Sequence, residues 1–314
     1  MNNPTLSIIV ISYNTRQMTL ECLRSVFRET KKTGFELIVL DNASADGSAA
    51  AIEEEFGNRV RLIASPANLG FAGGNNRATE VAQGEFLLLL NPDTVVLDGA
   101  IDSLLEFARA HPEAGIWGGR TLFADGSLNP ASCWSRQTLW SLFCQAIGFS
   151  SLFRRSSLFN PEGMGGWNRE GVREVDIVSG CFLLLKRDLW QKLGGFREIF
   201  FMYGEEADLC LRAHKLGARP MVTSAATIIH YGGASEKIRA DKLVRLLKAK
   251  MLLICEHFPP WSRRLGCRLL ALWPISRYLA HAILSGVGLV ASDRYAVWQQ
   301  VKSRMSEWAI YPDD

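Results

Sequence analysis

The chain has 314 residues, 48% of them hydrophobic and 21% charged, with a formal net charge of +3. It is long enough for one large α/β domain with an appendage, and so small a net charge offers no field on the scale that nucleic-acid binding needs. Seven scattered cysteines, odd in number and without a C-x-x-C pair, argue against a disulfide framework or a zinc site and for a reducing compartment.

Residues 6–12 read as a first strand rather than a signal peptide, because residues 1–4 carry no basic segment. Residues 16–30 follow as a helix with Leu20, Leu23, Val26 and Phe27 on one face. Residues 35–40 form a second strand ending at Asp41-Asn42. Asp46 predicts the N-cap of a helix through Phe56. A short strand at 60–64 and a loop at 66–74 lead into a helix running to about Gln83. Phe86 to Leu90 are five apolar residues in a row, too few for a helix and without polar alternation. They predict a strand buried on both faces of a mainly parallel sheet. Pro92 ends that strand, which leaves Asp93 just past its carboxyl end, the edge where open α/β sheets bind ligands. Strands alternating with helices in this way make a doubly wound α/β half.

A helix from Asp98 to about Ala110 stops at His111-Pro112. Residues 122–171 lose periodicity and predict long loops with one helix near 139–147, a pattern more typical of substrate-covering segments than of disorder. Order returns as strands at 175–178 and 181–186, helices at 187–193 and 205–215, and extended segments at 220–223 and 227–229. Everything beyond Ala240 reads as amphipathic helix. Cys22, Cys181 and Cys210 fall within apolar patterns and are expected in the core.

Three carboxylate groups fall at the ends of separate elements: Asp41, Asp93 and the pair Glu205-Glu206. Taken alone, Asp93 reads equally as a cap and as a ligand to a hard cation carrying a phosphate. Asp41 reads equally as a turn former with Asn42 and as a ligand contact. On the helix opened by the pair, Glu206, Leu209, Cys210 and Ala213 share the apolar stripe, and Glu205, Asp208 and Arg212 are expected on the opposite, outer face. Partial desolvation on the inner face would move Glu206 toward a general base's range, whereas a first-turn Glu outside merely complements the helix dipole. His230, at the end of an apolar segment, is either a satisfied structural residue or a metal ligand awaiting a second. No glycine fingerprint follows the first strand, Gly70-Phe-Ala-Gly73-Gly74 lacks the Lys-Ser/Thr of a phosphate loop, and there is no G-x-S-x-G elbow. The glycines at 70–74 instead suit a close approach of backbone to ligand.

Six segments in order carry a resemblance to a known family. They are Val10-Ile-Ser-Tyr-Asn-Thr15, Val39-Leu-Asp-Asn-Ala-Ser-Ala-Asp-Gly-Ser48, Asn68-Leu-Gly-Phe-Ala-Gly-Gly-Asn-Asn76, Leu87-Leu-Leu-Leu-Asn-Pro-Asp93, Leu193-Gly-Gly-Phe196 and Phe200-Phe-Met-Tyr-Gly-Glu-Glu-Ala-Asp-Leu-Cys-Leu-Arg212. Together they resemble family-2 glycosyltransferases, specifically the rhamnosyltransferase-like branch, over residues 5–233. The resemblance implies a GT-A-type nucleotide-diphospho-sugar transferase fold, Rossmann-like with a mainly parallel mixed sheet, over 1–235, and a helical C-terminal extension over 236–314. It implies transfer of a sugar, with inversion, from a dTDP- or UDP-linked donor such as a rhamnose donor to a glycan or lipid-linked acceptor in bacterial surface glycan synthesis.

By the same resemblance, Glu206 is the catalytic base, and Asp93 with His230 holds Mg²⁺ or Mn²⁺. Ser12, Tyr13, Asn14, Asp41, Asn68, Gly70, Asn75, Asn91 and Asp93 contact the nucleotide sugar. Gly180, Cys181 and Glu205 line the acceptor or sugar pocket. The chain departs from the family where relatives often have Glu-Asp at 205–206, and at Arg197, where Asp is common. Two other readings are a non-catalytic nucleotide-sugar-binding scaffold and a nucleotidyltransferase. The retention of both Asp93 and Glu206 speaks against the first, and the missing basic glycine loop against the second.

Between Lys237 and Arg268 nine basic residues face only Asp241 and Glu256. Trp261 to Tyr295 is the greasiest stretch, but its longest charge-free run, 278–292, is shorter than the ~20 residues of a spanning helix. With Arg263, Arg264, Arg268 and Arg277 it suits an interfacial segment on an anionic leaflet, which would place the protein in the cytoplasm, peripheral on the inner face of the plasma membrane. A packed helical subdomain or an oligomer interface fits the same residues.

Overall fold

The computed structural model describes residues 4–232, 239–286 and 292–311. The strands are β1 (Leu6–Ser12), β2 (Phe35–Asp41), β3 (Arg61–Ala64), β4 (Phe86–Leu90), β5 (Thr94–Val96), β6 (Ile116–Leu122), β7 (Leu128–Asn129), β8 (Cys133–Trp134), β9 (Val172–Glu174), β10 (Ile177–Val178), β11 (Phe182–Lys186) and β12 (Met221–His230). The helices are α1 (Arg16–Glu29), α2 (Ser48–Phe56), α3 (Gly70–Thr79), α4 (Ala100–Ala110), α5 (Leu139–Ile147), α6 (Phe149–Leu152), α7 (Arg187–Leu193), α8 (Glu205–Lys215), α9 (Arg239–His257), α10 (Pro260–Gly286), α11 (Ser292–Ser303) and α12 (Met305–Trp308). The chain divides into two compact units. One comprises Met1–Trp134, Asn168–Phe201 and Glu205–Ser235, the other Ser135–Trp167, Met202–Gly204 and Glu236–Asp314. The boundary expected at 235/236 lies outside the described residues, as do 287–291 of the charge-free run.

The first unit is built on a mixed sheet in the order β3-β2-β1-β4-β11-β6-β12-β5. Strands β1 to β4 are parallel in that half, and β11 runs antiparallel between β4 and β6. Leu87, Leu88 and Leu89 are wholly buried, as a strand covered on both faces requires. The core gathers β1, β2, β4 and β11 with α1, α2 and α4 around Leu23, Ile52, Leu88, Leu104, Trp117 and Phe182.

Several elements differ from the sequence expectation. Asp46 stands one residue before the cap of α2, which is Gly47 in the left-handed region. Asp46 still accepts from the Ser48 amide at 3.1 Å and ties the Arg16 amide at 2.9 Å. The segments expected at 220–223 and 227–229 are one strand, β12, with a bulge between Thr223 and Thr227. Strand β6 was not anticipated, because Gly118-Gly119 interrupts its apolar run. Both glycines are forced by packing: a Cβ on Gly118 would stand 2.4 Å from Val178, and one on Gly119 2.3 Å from the Ala226 carbonyl in the bulge.

The second unit has its own core of Leu142, Val244, Leu247, Met251, Leu270 and Trp308, among others, from α5, α9, α10, α11 and α12. The helix expected at 139–147 is α5, capped by Thr138, whose hydroxyl accepts from the Ser141 amide. Among the described residues no helix is long and apolar enough to cross a membrane.

Candidate active site

The turn after β4 fixes the first group of site residues. Leu90 pairs with Phe182, and the Asn91 amide adds one more ladder bond to the Cys181 carbonyl at 3.1 Å before Pro92 ends the pairing. The Thr94 hydroxyl donates back to the Asn91 carbonyl at 2.7 Å and tightens the turn. The chain then leaves the sheet centre and returns as β5 on its far edge, where Thr94 pairs with His230 and the Tyr231 amide donates to the Asp93 carbonyl. Curling the sheet in this way brings the Asp93 Oδ1 to 3.4 Å from the His230 Nε2. The Asn91 side-chain amide lies 3.4 Å from the same nitrogen. Both Asp93 and His230 are largely buried. Burial opposes charge on the imidazole, but the Cys181 thiol group and the Asp93 carboxylate outweigh it and push His230 up to about 10.

The second group surrounds the entry to α3, where the stretch expected as a loop is already helical from Gly70 onward. Asn42, buried at the end of β2, donates to the Asn68 side-chain oxygen and the Gly70 carbonyl and accepts from the Leu69 amide. Asn68 in turn accepts from the Gly70 amide at 2.9 Å. Gly70 has φ +72°, and a Cβ there would stand 2.4 Å from the Phe201 carbonyl. That carbonyl accepts from the Phe71 amide at 2.9 Å, which ties the loop to the residues leading toward α8. Asp41 is buried, and its Oδ2 accepts from the Ser44 amide. Asn75 donates to the Phe71 carbonyl, and Asn76 clamps Phe196 through both its amide and its carbonyl. Ser12 and Asn14 are likewise committed within the protein. The Ser12 hydroxyl meets Thr19, and the Asn14 side chain accepts from the Ala45 amide while the Asn14 backbone amide donates to the Ser44 hydroxyl. Tyr13 is partly exposed beside them.

Helix α8 corrects the expected faces. Glu205 is only 4% exposed and Asp208 is fully buried, so neither lies on an outer face. Asp208 is held by Arg212 at 2.7 Å and by Arg197 at 3.5 Å, and Arg212 also donates to the Leu193 and Gly195 carbonyls. This network gives Arg197 a physical account: it partners a buried carboxylate and helps fasten the Gly194-Gly195 turn to α8. Burial, and then the neighbouring Glu206, raise the Glu205 carboxyl well above the usual range. Glu206 is only partly buried and stands by Gly180, where a Cβ would lie 3.7 Å from the Glu206 Cβ and 3.3 Å from the Phe71 ring. Cys181, the next residue, carries the carbonyl that receives Asn91. Asn91, Asp93, Cys181 and His230 are thus contiguous, Gly180 joins them to Glu206, and Phe71 joins Gly180 to the 68–70 loop. Asn42 and Asn76 were not expected among the site residues, nor were Asp208, Arg212 and Arg197 expected to form one network. Only the Asp208–Arg212 spacing of four residues could have signalled any of them.

Among the described residues no three His, Cys, Asp or Glu side chains converge as a cation cage. Two ligands on an octahedral cation at about 2.1 Å and right angles stand ~3 Å apart, a separation near that of Asp93 and His230. Asp41 Oδ1, Asn91 Oδ1, His230 Nδ1 and Glu205 Oε2 are buried with no hydrogen-bond partner among the described residues. So many orphaned polar atoms at one sheet edge suit a polar ligand.

Comparison with known proteins agrees with this geometry. The profile of "Glycosyl transferase family 2" matches residues 7–192. An N-acetylglucosaminyl-diphospho-decaprenol L-rhamnosyltransferase of Mycobacterium tuberculosis is 26% identical over 277 residues, covering 82% of this chain and 86% of that protein. The O-antigen biosynthesis protein RfbC of Myxococcus xanthus is 27% identical over 82% of this chain but only 19% of its own length. The mannosyltransferase PcManGT of Pyrobaculum calidifontis, solved with GDP-Man and Mn²⁺, superposes with a TM-score of 0.60 at 17% identity, covering 98% of this chain and 87% of that one. Residues 1–349 of S. aureus TarS, solved with UDP, superpose with a TM-score of 0.53 at 17% identity over 97% and 83% of the two chains. The architecture is therefore the GT-A-type α/β fold with a helical C-terminal part, and the profile match runs from β1 into α7, taking in Asp41, Asn91, Asp93 and Cys181 but stopping before α8 and β12. The chain belongs to glycosyl transferase family 2.

Proposed function

We propose that this protein is an inverting glycosyltransferase that moves a sugar, rhamnose from a dTDP- or UDP-linked donor, to a hydroxyl of a lipid-linked or polysaccharide acceptor in bacterial surface glycan synthesis. The observation that supports it most is the gathering of Asp93, His230, Asn91 and Cys181 at one strand-end edge, with Glu206 beside Gly180. The rhamnosyltransferase name of the mycobacterial relative favours the donor sugar and the lipid-linked acceptor.

In this reading Glu206 takes the proton of the acceptor hydroxyl as its oxygen attacks the anomeric carbon and the bond from that carbon to the diphosphate breaks on the opposite face. A base must touch its substrate, and Glu206 is partly exposed whereas Glu205 is enclosed. Burial and Glu206 raise the Glu205 carboxyl, which lessens the negative charge standing beside Glu206. Asp41 Oδ1 and the 68–70 loop backbone receive the nucleotide. Asp93 and His230 would hold Mg²⁺ or Mn²⁺, which supplies charge neutralisation on the leaving diphosphate.

The test is a screen of nucleotide sugars, dTDP-rhamnose first, for binding, hydrolysis and transfer with and without Mn²⁺, repeated on Glu206→Gln. That variant should bind the donor as the parent does and lose transfer by about 10²–10⁴-fold. Glu205→Gln exchanges an enclosed carboxyl for a near-isosteric amide and should keep most activity. A dead Glu205→Gln with an active Glu206→Gln would exchange the two roles. Binding without hydrolysis or transfer of any donor would favour a scaffold.

A further inference from the structure

The helical unit turns apolar surface outward in a regular pattern. On α10, Trp261, Leu265, Leu272, Leu279 and Ile283 are all exposed, Trp261 at 78% and Ile283 at 70%. At ~100° per residue they fall within about 40° of one another, a single stripe on the outer face. The stripe holds on both sides of Pro274. Helix α5, which packs against α10, does the same with Trp140, Phe143 and Ile147 at i, i+3 and i+7. The two helices are joined where Arg277 donates to the Ser151 hydroxyl at 2.7 Å, just past α5. Exposed apolar residues scattered singly need no explanation, but two touching helices that both face outward with apolar stripes do.

Charge selects the occupant. Residues 126–161 and 257–292 contain seven arginines and no Asp or Glu. Arg263 and Arg277 are partly buried and bonded to the Phe258 carbonyl and to Ser151, so they are not surface charges of the kind the sequence suggested. Arg264 and Arg268 are exposed beside the α10 stripe, and Arg154 and Arg155 follow α6. Two copies of such a face would oppose like charges, whereas an anionic leaflet accepts both the arginines and the apolar side chains. The stripe is long as well. Its 22-residue reach from Trp261 to Ile283 corresponds to ~33 Å, yet α10 is not apolar enough to span a bilayer.

We propose that the outer face of α5 and α10 docks on an anionic phospholipid leaflet, with α10 lying in the plane of the interface. Trp261, Leu265, Leu272, Leu279 and Ile283 enter the acyl boundary, and Arg264 and Arg268 sit among the headgroups. This surface requires nothing of the transfer chemistry, and its test uses no donor or acceptor. The full-length protein is sedimented with vesicles of phosphatidylcholine alone and with vesicles containing 30% phosphatidylglycerol. Wild type should partition strongly onto the anionic vesicles and be released by 0.5 M NaCl. Arg264→Glu/Arg268→Glu should bind them at least roughly 30-fold more weakly, since loss of each basic residue near the surface costs about fivefold and reversal adds repulsion. Leu265→Ser/Leu272→Ser/Leu279→Ser should also lose binding. All of these side chains are exposed, so unchanged circular dichroism and melting temperature would attest the fold of both variants. Equal binding of wild type to the two vesicle types, or wild-type binding by either variant, overturns the proposal. So does a lipid-free dimer that the same substitutions dissociate, which would assign the face to a second copy of the chain.

Discussion

Asp208 is the place where the structure departs most from a simple helical pattern, and the energetic consequence can be worked out. Its carboxylate is fully buried, with Arg212 17% exposed at 2.7 Å and Arg197 37% exposed at 3.5 Å. Asp208→Asn keeps the shape and removes the charge, which leaves the Arg212 guanidinium without its counter-ion. Breaking a buried pair from one side costs about 3–5 kcal/mol. The lower end applies here, because Arg212 keeps the Leu193 and Gly195 carbonyls as acceptors and retains some contact with water. A loss of about 3 kcal/mol is therefore expected, a fall in melting temperature of roughly 6–12 °C for a folded unit of about 200 residues. Arg197→Ala should cost less than about 1 kcal/mol, since a long, solvent-screened contact contributes little. Thermal and urea unfolding of Asp208→Asn, Arg197→Ala and Arg212→Ala, and of the two double variants that pair Asp208→Asn with each arginine change, give the couplings directly. The Asp208–Arg212 coupling should exceed the Asp208–Arg197 coupling severalfold. If Asp208→Asn unfolds within 1 kcal/mol of wild type, or if Arg197→Ala is the costlier change, the network does not fasten α8 as argued.

Three further outcomes are expected. The Glu205 carboxyl is raised by burial and by Glu206, so the folded state binds its proton more tightly than the unfolded chain does. Stability from this group is full below the unfolded value of about 4.3 and declines as pH rises through the folded value. Glu205→Gln should accordingly melt higher than wild type at pH 8 and converge with it near pH 4; parallel curves from pH 4 to 8 would contradict the assignment. Gly70→Ala meets both a left-handed backbone and the Phe201 carbonyl. It should cost more than about 1–2 kcal/mol and weaken nucleotide binding in a titration with UDP or dTDP, and unchanged binding would remove the loop from the donor site. Asp93→Asn should lose Mn²⁺-stimulated transfer while melting within a few degrees of wild type, and wild-type activity indifferent to a chelator would count against Asp93 and His230 as cation ligands.

What the sequence discloses and what it hides divides along physical lines. Phe86 to Leu90 could be recognised as a central strand because burial on both faces leaves an unbroken apolar run, and Asn91-Pro92 marked its end unambiguously. Strand β6 was hidden because Gly118 and Gly119 are chosen for close approach rather than for strand propensity, so they read as loop. Strand β12 was split in two because the Ser224-Ala225-Ala226 bulge breaks its alternation. The position of Asp93 just past the carboxyl end of a central strand was legible, but its meeting with His230 was not. That contact exists only because β5 crosses to the far edge of the sheet and pairs with the end of β12, a long-range register that no local pattern encodes.

The misreading of α8 has the most instructive cause. A helical wheel sorts residues by polarity and takes polar to mean exposed, which holds when a charge has only water to face. Asp208 has Arg212 one turn away and Arg197 from a preceding turn, so a charged side chain is cheaper inside than its type suggests. Glu205 is different: it has no hydrogen-bond partner on Oε2 among the described residues and lies against a second carboxylate. A buried acid with neither counter-ion nor full hydrogen bonding is a cost to the fold, of the kind proteins accumulate at functional sites. On the same helix, then, one unexpected buried carboxylate is explained by structure and the adjacent one is not, and the second is the one that borders Glu206. In the proposed reading the labour divides accordingly: Asp208 holds the helix, Glu205 limits the charge beside it, and Glu206, less buried than either, takes the acceptor's proton.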